Sequence, residues 1–143
     1  MEIQQMTFKV ISDQNFSGLI ALSYELKEVT FSNCTFSNVR NMFRYTNLEK
    51  IKFENCKVLD RSTSNMFKSE KKTLQELDLS GLDVSNVTNM KRMFYKCYCK
   101  KINLANFNTS NVTNMKHMFD NCRFVKELDL SSFNTSKVTT MAF

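Results

Sequence analysis

Three stretches of the chain are near copies of one another, and self-similarity at a fixed period leaves few folds open. The first is Leu77-Asp-Leu-Ser-Gly-Leu-Asp-Val-Ser-Asn-Val87-Thr-Asn-Met90-Lys-Arg-Met93-Phe94. The second is Ile102-Asn-Leu-Ala-Asn-Phe-Asn-Thr-Ser-Asn-Val112-Thr-Asn-Met115-Lys-His-Met118-Phe119. The third is Leu128-Asp-Leu-Ser-Ser-Phe-Asn-Thr-Ser-Lys-Val138-Thr-Thr-Met141. Looser copies lie upstream. The pattern apolar-x-x-apolar-x-apolar recurs at Leu26-Val29-Phe31, Leu48-Ile51-Phe53, Leu74-Leu77-Leu79, Cys99-Ile102-Leu104 and Val125-Leu128-Leu130. Its central residues Val29, Ile51, Leu77, Ile102 and Leu128 stand 22, 26, 25 and 26 residues apart. The short first step has a local cause. Val39-Arg-Asn-Met42-Phe43 lacks the three residues that separate Met90 from Met93, nearly one turn of helix.

Within a unit the apolar period changes. Leu77 and Leu79 alternate with Asp78, the two-residue period of a short strand. Val112, Met115, Met118 and Phe119 then fall at i, i+3, i+6 and i+7, the spacing of one face of a two-turn helix. Thr109 or Ser110 just ahead can accept a free backbone N–H and start it. Elements this short and one-sided gain stability only by stacking on their neighbours. The expected fold is therefore an α/β repeat: a right-handed leucine-rich-repeat solenoid with short parallel strands on one face and short helices on the other. With two glycines and no proline, its turns must rely on Asn, Asp, Ser and Thr.

Residues 29–143 form the array, about four full units and a partial one that stops mid-repeat at Phe143. Residues 1–28 read as an N-terminal cap or a divergent first repeat. Phe8-Lys-Val10 is in phase for a strand, and Leu19, Leu22 and Leu26 make a helical stripe over the end of the core. An array with no polar cap at its C-terminal end exposes core there, so the end calls for further repeats or for self-association.

The repeat also assigns positions to residues that would otherwise suggest chemistry. Cys34 and Cys56 take the slot of Leu82, Phe107 and Phe133, Cys97 and Cys122 share a turn slot, and Cys99 replaces Leu48 and Leu74. All five are thus expected in the core as small hydrophobic groups, and their odd number argues against a closed disulfide framework. Cys97-Tyr-Cys99 has no partner Cys or His at metal-ligand spacing. The only histidine, His117, falls at an outward position of the Met-x-x-Met-Phe segment. Asp78 and Asp129 sit roughly 10 Å apart by strand spacing, with Asn103 between them and no cleft implied. No phosphate-binding loop or nucleophile motif is present. The expectation is no catalytic residue, no cofactor and no metal. Six Asn-x-Ser/Thr sequons begin at Asn15, Asn33, Asn86, Asn108, Asn111 and Asn134. Where they fall in the repeat wording, local Asn-to-backbone bonds explain them.

The wording Leu-Asp-Leu-Ser-x-Phe-Asn-Thr-Ser-x-Val-Thr-x-Met-x-x-Met-Phe-x-x-Cys resembles the BspA-like leucine-rich repeat family, whose repeat occurs in many mycoplasma surface lipoproteins and in protist and giant-virus proteins. The match is close over residues 74–141, looser over 29–73 and poor over 1–28. It implies a curved solenoid with strands on one face and, in bacterial members, adhesion to host or matrix proteins at the cell surface or outside the cell.

The strand face supplies the candidate binding residues. Those flanking each strand's first apolar position point outward, in columns Glu28, Lys50, Glu76, Lys101, Glu127 and Thr30, Lys52, Asp78, Asn103, Asp129, with Ser32, Glu54, Ser80, Ala105 and Ser131 beyond. The first column alternates in sign, which pins stacking register as well as offering a charge-patterned surface. A net charge of +6 gathers instead at Lys68, Lys71, Lys72, Lys91, Arg92, Lys96, Lys100 and Lys101, near Tyr95 and Tyr98. Nucleic-acid binding would want a stripe with stacking aromatics or a known module, and neither is evident. No run nears the roughly 18 apolar residues of a membrane span. MEIQQMTFKV lacks a basic n-region and an apolar h-region, which leaves an intracellular or virion setting, or a separated export signal, beside the cell surface. The reading is a non-catalytic protein-binding or adhesion module with a protein partner of unknown identity. The alternative is a structural component packed through the solenoid surface and its C-terminal end.

Overall fold

The structure is a computed structural model that describes residues 5–9, as backbone, and 25–142. It is a parallel β-solenoid. The strands are β1 (Gln5–Lys9), β2 (Glu28–Ser32), β3 (Thr35–Phe36), β4 (Lys50–Glu54), β5 (Cys56–Val58), β6 (Glu76–Asp78), β7 (Leu82–Asp83) and β8 (Lys101–Asn103). One sheet runs β1-β2-β4-β6-β8 and a smaller one β3-β5-β7, and every pairing is parallel. A third line of contact is the run of parallel bridges Ser62–Asn89–Asn114–Thr140. Register follows the repeat, since Val29, Ile51, Leu77 and Ile102 lie opposite one another in turn. Upstream, Met6 rather than Phe8 faces Val29, and Phe8 faces Phe31. The proposed stripe at Leu19 and Leu22 lies outside the described residues, as do Val10 and Phe143.

In-register stacking places each apolar residue on its equivalent one coil away. The Phe43, Phe67, Phe94 and Phe119 rings stack in a column with centroids 5.4, 5.6 and 5.1 Å apart. Phe31 on Phe53 and Phe107 on Phe133 do the same at 5.3 and 5.9 Å. Buried aromatic contacts of this kind hold coils that have no stability alone.

The turns are fixed by short polar side chains. Asn33, Asn55 and Asn106 occupy one slot with φ of 56°, 51° and 63°, the left-handed conformation that Asn tolerates. Gly81 fills that slot in its own coil without a positive φ. It lies so close to the Phe53 carbonyl that an added Cβ would collide. Asp78, Asp83, Asn89, Asn103, Asn108, Asn114 and Asn134 each accept the amide two residues on. Sequon residues Asn108 and Asn134 thus have the structural role read from the repeat.

The helical face is not there. The described residues contain no α-helix, and the Met-x-x-Met-Phe segments are successive tight turns. Their amides divide into two sets. Met93, Tyr95 and Cys97 bond back to the carbonyls of Met90, Arg92 and Phe94. The alternate amides of Met90, Arg92, Phe94 and Lys96 cross to the carbonyls of Asn114, Lys116, Met118 and Asp120 in the next coil. An α-helix would need all of these amides within its own segment. Left-handed residues also break the helical path, at Asn41, Asn65, Arg92 and His117 in one slot and at Lys96 and Asn121 four residues on. A repeated three-residue turn produces the i, i+3, i+6 spacing without any helix. The three residues missing before Met42 are accordingly one such turn.

Two other expectations need correction. Cys97 and Cys99 form a disulfide across Tyr98, so these two are not thiols. They are alternate inward residues of one extended corner with Cα atoms 5.4 Å apart, within bridging range. Cys34, Cys56 and Cys122 are free. The last repeat, in turn, forms no strand at Leu128. It is held through its later turns, where Thr139 and Thr140 donate to Thr113, and Met115 donates to Thr140. Leu130 and Met141 stay exposed.

Thr63 occupies the core slot of Met90 and is fully buried, yet its hydroxyl has no partner. A buried hydroxyl without a hydrogen bond costs stability that an isosteric apolar group avoids. Thr63→Val should raise the unfolding free energy by about 1 kcal/mol in urea titration. A loss of stability would mean that the hydroxyl is satisfied. Far-UV circular dichroism should show a β-rich spectrum without the paired minima of helix, and strong helical minima would contradict the turn segments.

Candidate partner-binding face

The outward side of the larger sheet carries most of the residues singled out in the sequence. β2, β4, β6 and β8 bury Val29, Ile51, Leu77 and Ile102, and alternation turns their neighbours outward. Glu28, Lys50, Glu76 and Lys101 lie in register, as do Thr30, Lys52, Asp78 and Asn103. Together these eight line a shallow depression of about 270 Å³. Glu127 and Asp129 do not join it by strand pairing, because the chain beyond β8 is irregular there. Both are exposed.

The charges on this face are largely compensated within it. Lys50 Nζ stands 3.6 Å from Glu28 and Lys52 Nζ 2.9 Å from Glu54. Among the described residues, Lys50–Glu28 is the ion pair that the alternating column forms. The Glu54 carboxylate also accepts the Ser32 hydroxyl at 3.0 Å. The Lys52 ammonium, then Ser32, hold its pKa below the usual range, and the same contact raises that of Lys52. Asp78 is committed to structure, since its Oδ1 accepts the Ser80 hydroxyl and amide at 2.7 and 3.1 Å and the Asn103 side-chain amide at 3.1 Å.

His117 is only 25% exposed at its side chain and has a φ of 56°. Its Nδ1 is 3.6 Å from the Asp120 carboxylate, so it is not the outward, solvated residue that a helix would make it. Burial pushes the Cys122 thiol up to about 11 and raises that of Cys56, which leaves both protonated and poorly nucleophilic at neutral pH. No group of three His, Cys, Asp or Glu among the described residues could hold a metal ion. No helix there is long and apolar enough to cross a membrane.

The basic residues gather around two tyrosines. Arg92, Lys96 and Lys68 lie 5.2, 5.3 and 5.8 Å from the centre of the Tyr95 ring. Lys72 lies 5.5 Å from that of Tyr98. Phe124, absent from the sequence-derived candidates, packs on Tyr98 with ring centroids 5.7 Å apart. The signal was available, because Tyr98 and Phe124 each stand four residues before the central apolar residue of their unit, Ile102 and Leu128.

Residues 61–143, more than half of the chain, match the family described as "Mycoplasma protein of unknown function, DUF285". No curated protein and no solved structure matches the chain.

Several carboxylates hold pKa values lowered by specific donors: Glu54 by Lys52 and Ser32, Glu70 by Lys68 and Arg44, Asp83 by Ser85, and Asp129 by Ser131. A lowered folded pKa contributes stability above the ordinary carboxylate value, and that stability is lost as pH falls through the folded value. The urea midpoint should therefore drop between pH 7 and about pH 3, with Asp83→Asn narrowing the difference. A midpoint that is flat or rises on acidification would refute this assignment.

Proposed function

The chain belongs to the DUF285 family of Mycoplasma proteins of unknown function, and on that footing we propose that it is a non-catalytic protein-binding or adhesion module. The carrying observation is the depression on the sheet face, lined by eight residues that the repeat places in register. A solenoid offers each partner side chain the same slot one coil further on, which suits recognition of an extended surface. The finer reading is a right-handed leucine-rich repeat of the BspA-like kind, acting at the cell surface. It is supported by the buried Leu48-Ile51-Phe53 and Leu74-Leu77-Leu79 columns and by the recurring Met-Phe and Cys wording. Fold analogy raises this expectation without supplying a partner.

A second reading, a structural component that packs through its end, rests on one specific observation. The last coil leaves an apolar hollow of about 350 Å³ lined by Met115, Met118, Phe119, Leu130, Phe133 and Met141. Leu130 and Met141 are 42% and 46% exposed.

Affinity capture from the native source, with the wild type beside Lys50→Glu/Glu76→Lys, tests the first reading. A protein retained by the wild type and lost by the variant is the expected outcome. Equal capture by both would remove the sheet face from the account. Light scattering of Phe133→Asp tests the second. Concentration-dependent association that this substitution abolishes supports packing through the end, whereas a monomer at all concentrations argues against it.

A further inference from the structure

Charge is distributed unevenly around this solenoid. Among the described residues, seven cations are paired: Lys27 with Glu49, Arg40 with Asp60, Arg44 and Lys68 with Glu70, Lys50 with Glu28, Lys52 with Glu54, and Lys57 with Asp83. Arg61, Lys91, Arg92, Lys101, Lys116 and Lys137 are in no ion pair there. The corner that leads from the turn segments into the larger sheet gathers six more. Lys71, Lys72, Lys96, Lys100, Arg123 and Lys126 are all exposed there. Among the described residues, none of the six is in an ion pair. They belong to three consecutive coils, and Lys100 and Lys126 share one slot of the repeat, about 4.8 Å apart along the stack, with the exposed Glu127 next to Lys126 in the chain. Like charges at that spacing repel, and nothing in the stacking requires them.

We propose that this corner docks an acidic, extended segment of a protein partner. The reading stands whether or not the sheet face also binds, because it uses other residues. Acidic side chains along an extended segment would meet successive coils and offset the mutual repulsion of the cations. The tyrosines hold the cations in place. Lys96 stands against Tyr95 and Lys72 against Tyr98, which reduces the side-chain freedom lost on binding. Phe124 adds an apolar contact. It is 49% exposed at the same corner and is propped against Tyr98, so a hydrophobic residue of the partner can pack on it.

The same contacts argue against the two other polyanions. A single-stranded nucleic acid needs open aromatic faces for its bases, but Tyr95 is ringed by three cations and Tyr98 lies between Lys72 and Phe124. An anionic membrane surface is held by several inserted apolar groups beside the basic ones, and Phe124 is the exposed large hydrophobic residue at this corner among the described residues.

The test is fluorescence anisotropy with a labelled poly-glutamate peptide carrying one phenylalanine, alongside labelled oligothymidine and phosphatidylserine vesicles. The expected result is salt-sensitive binding of the peptide. It should weaken at least about tenfold in Lys72→Glu/Lys100→Glu/Lys126→Glu and change by less than about twofold in Arg61→Glu/Lys137→Glu, two exposed cations that belong to neither surface. The neutral set Lys72→Gln/Lys100→Gln/Lys126→Gln should lose affinity to an intermediate degree, and it decides the matter if the charge-reversed protein does not fold. The proposal is overturned if the peptide does not bind, if the corner substitutions leave its affinity unchanged, or if oligothymidine or vesicles bind more tightly than the peptide.

Discussion

Backbone hydrogen bonds that cross from one coil to the next set the terms for everything else in this molecule. Both sheets consist of them, and so does half of each turn segment, where Met90, Arg92, Phe94 and Lys96 reach the carbonyls of the following coil. A parallel ladder in fixed register repeats the same residue at the same place. The interior is therefore a set of columns, and any residue type that suits one coil suits the next. Phenylalanine stacks on phenylalanine, the Asx turns recur, and a side chain that departs from its column stands out. Thr63 is such a departure.

This constraint explains which features could be read in the residues alone. The strand register, the aromatic columns, the Asn-based turns and the outward placement of Lys50, Glu76 and Lys101 all follow from a two-residue alternation and a fixed repeat length. The expected helices are absent from the described residues for an equally physical reason. Apolar residues at i, i+3 and i+6 fit one helix face, but they fit three-residue turns just as well, and periodicity alone does not separate the two. What does is where the amides donate, together with the left-handed backbone at Asn41, Asn65, Arg92 and His117. Two of those four are asparagine, a hint that was present. Arg92 and His117 gave no such signal, because their conformation is imposed by the neighbouring coil.

The candidate surfaces divide along the same line. Residues of the sheet face were legible because strand alternation exposes them, but their state was not. Asp78 is spent on holding a turn, and Glu54 is taken up by Lys52 and Ser32. The cysteines repeat this lesson, since their inward placement followed from the repeat while the Cys97–Cys99 bridge depended on a corner whose geometry the pattern does not specify. The basic corner is a mixed case. Its lysines, its tyrosines and the shared slot of Tyr98 and Phe124 are legible in the repeat, whereas Lys72 comes from a segment of different length and only the folded chain sets it against Tyr98.

The coil-to-coil bonding in the turn segments can be measured directly by scalar couplings across hydrogen bonds in isotope-labelled protein. The structure requires couplings from the Arg92 amide to the Lys116 carbonyl and from the Phe94 amide to the Met118 carbonyl. Coupling from the Phe94 amide to the Met90 carbonyl, the bond of a helix within one coil, would contradict it.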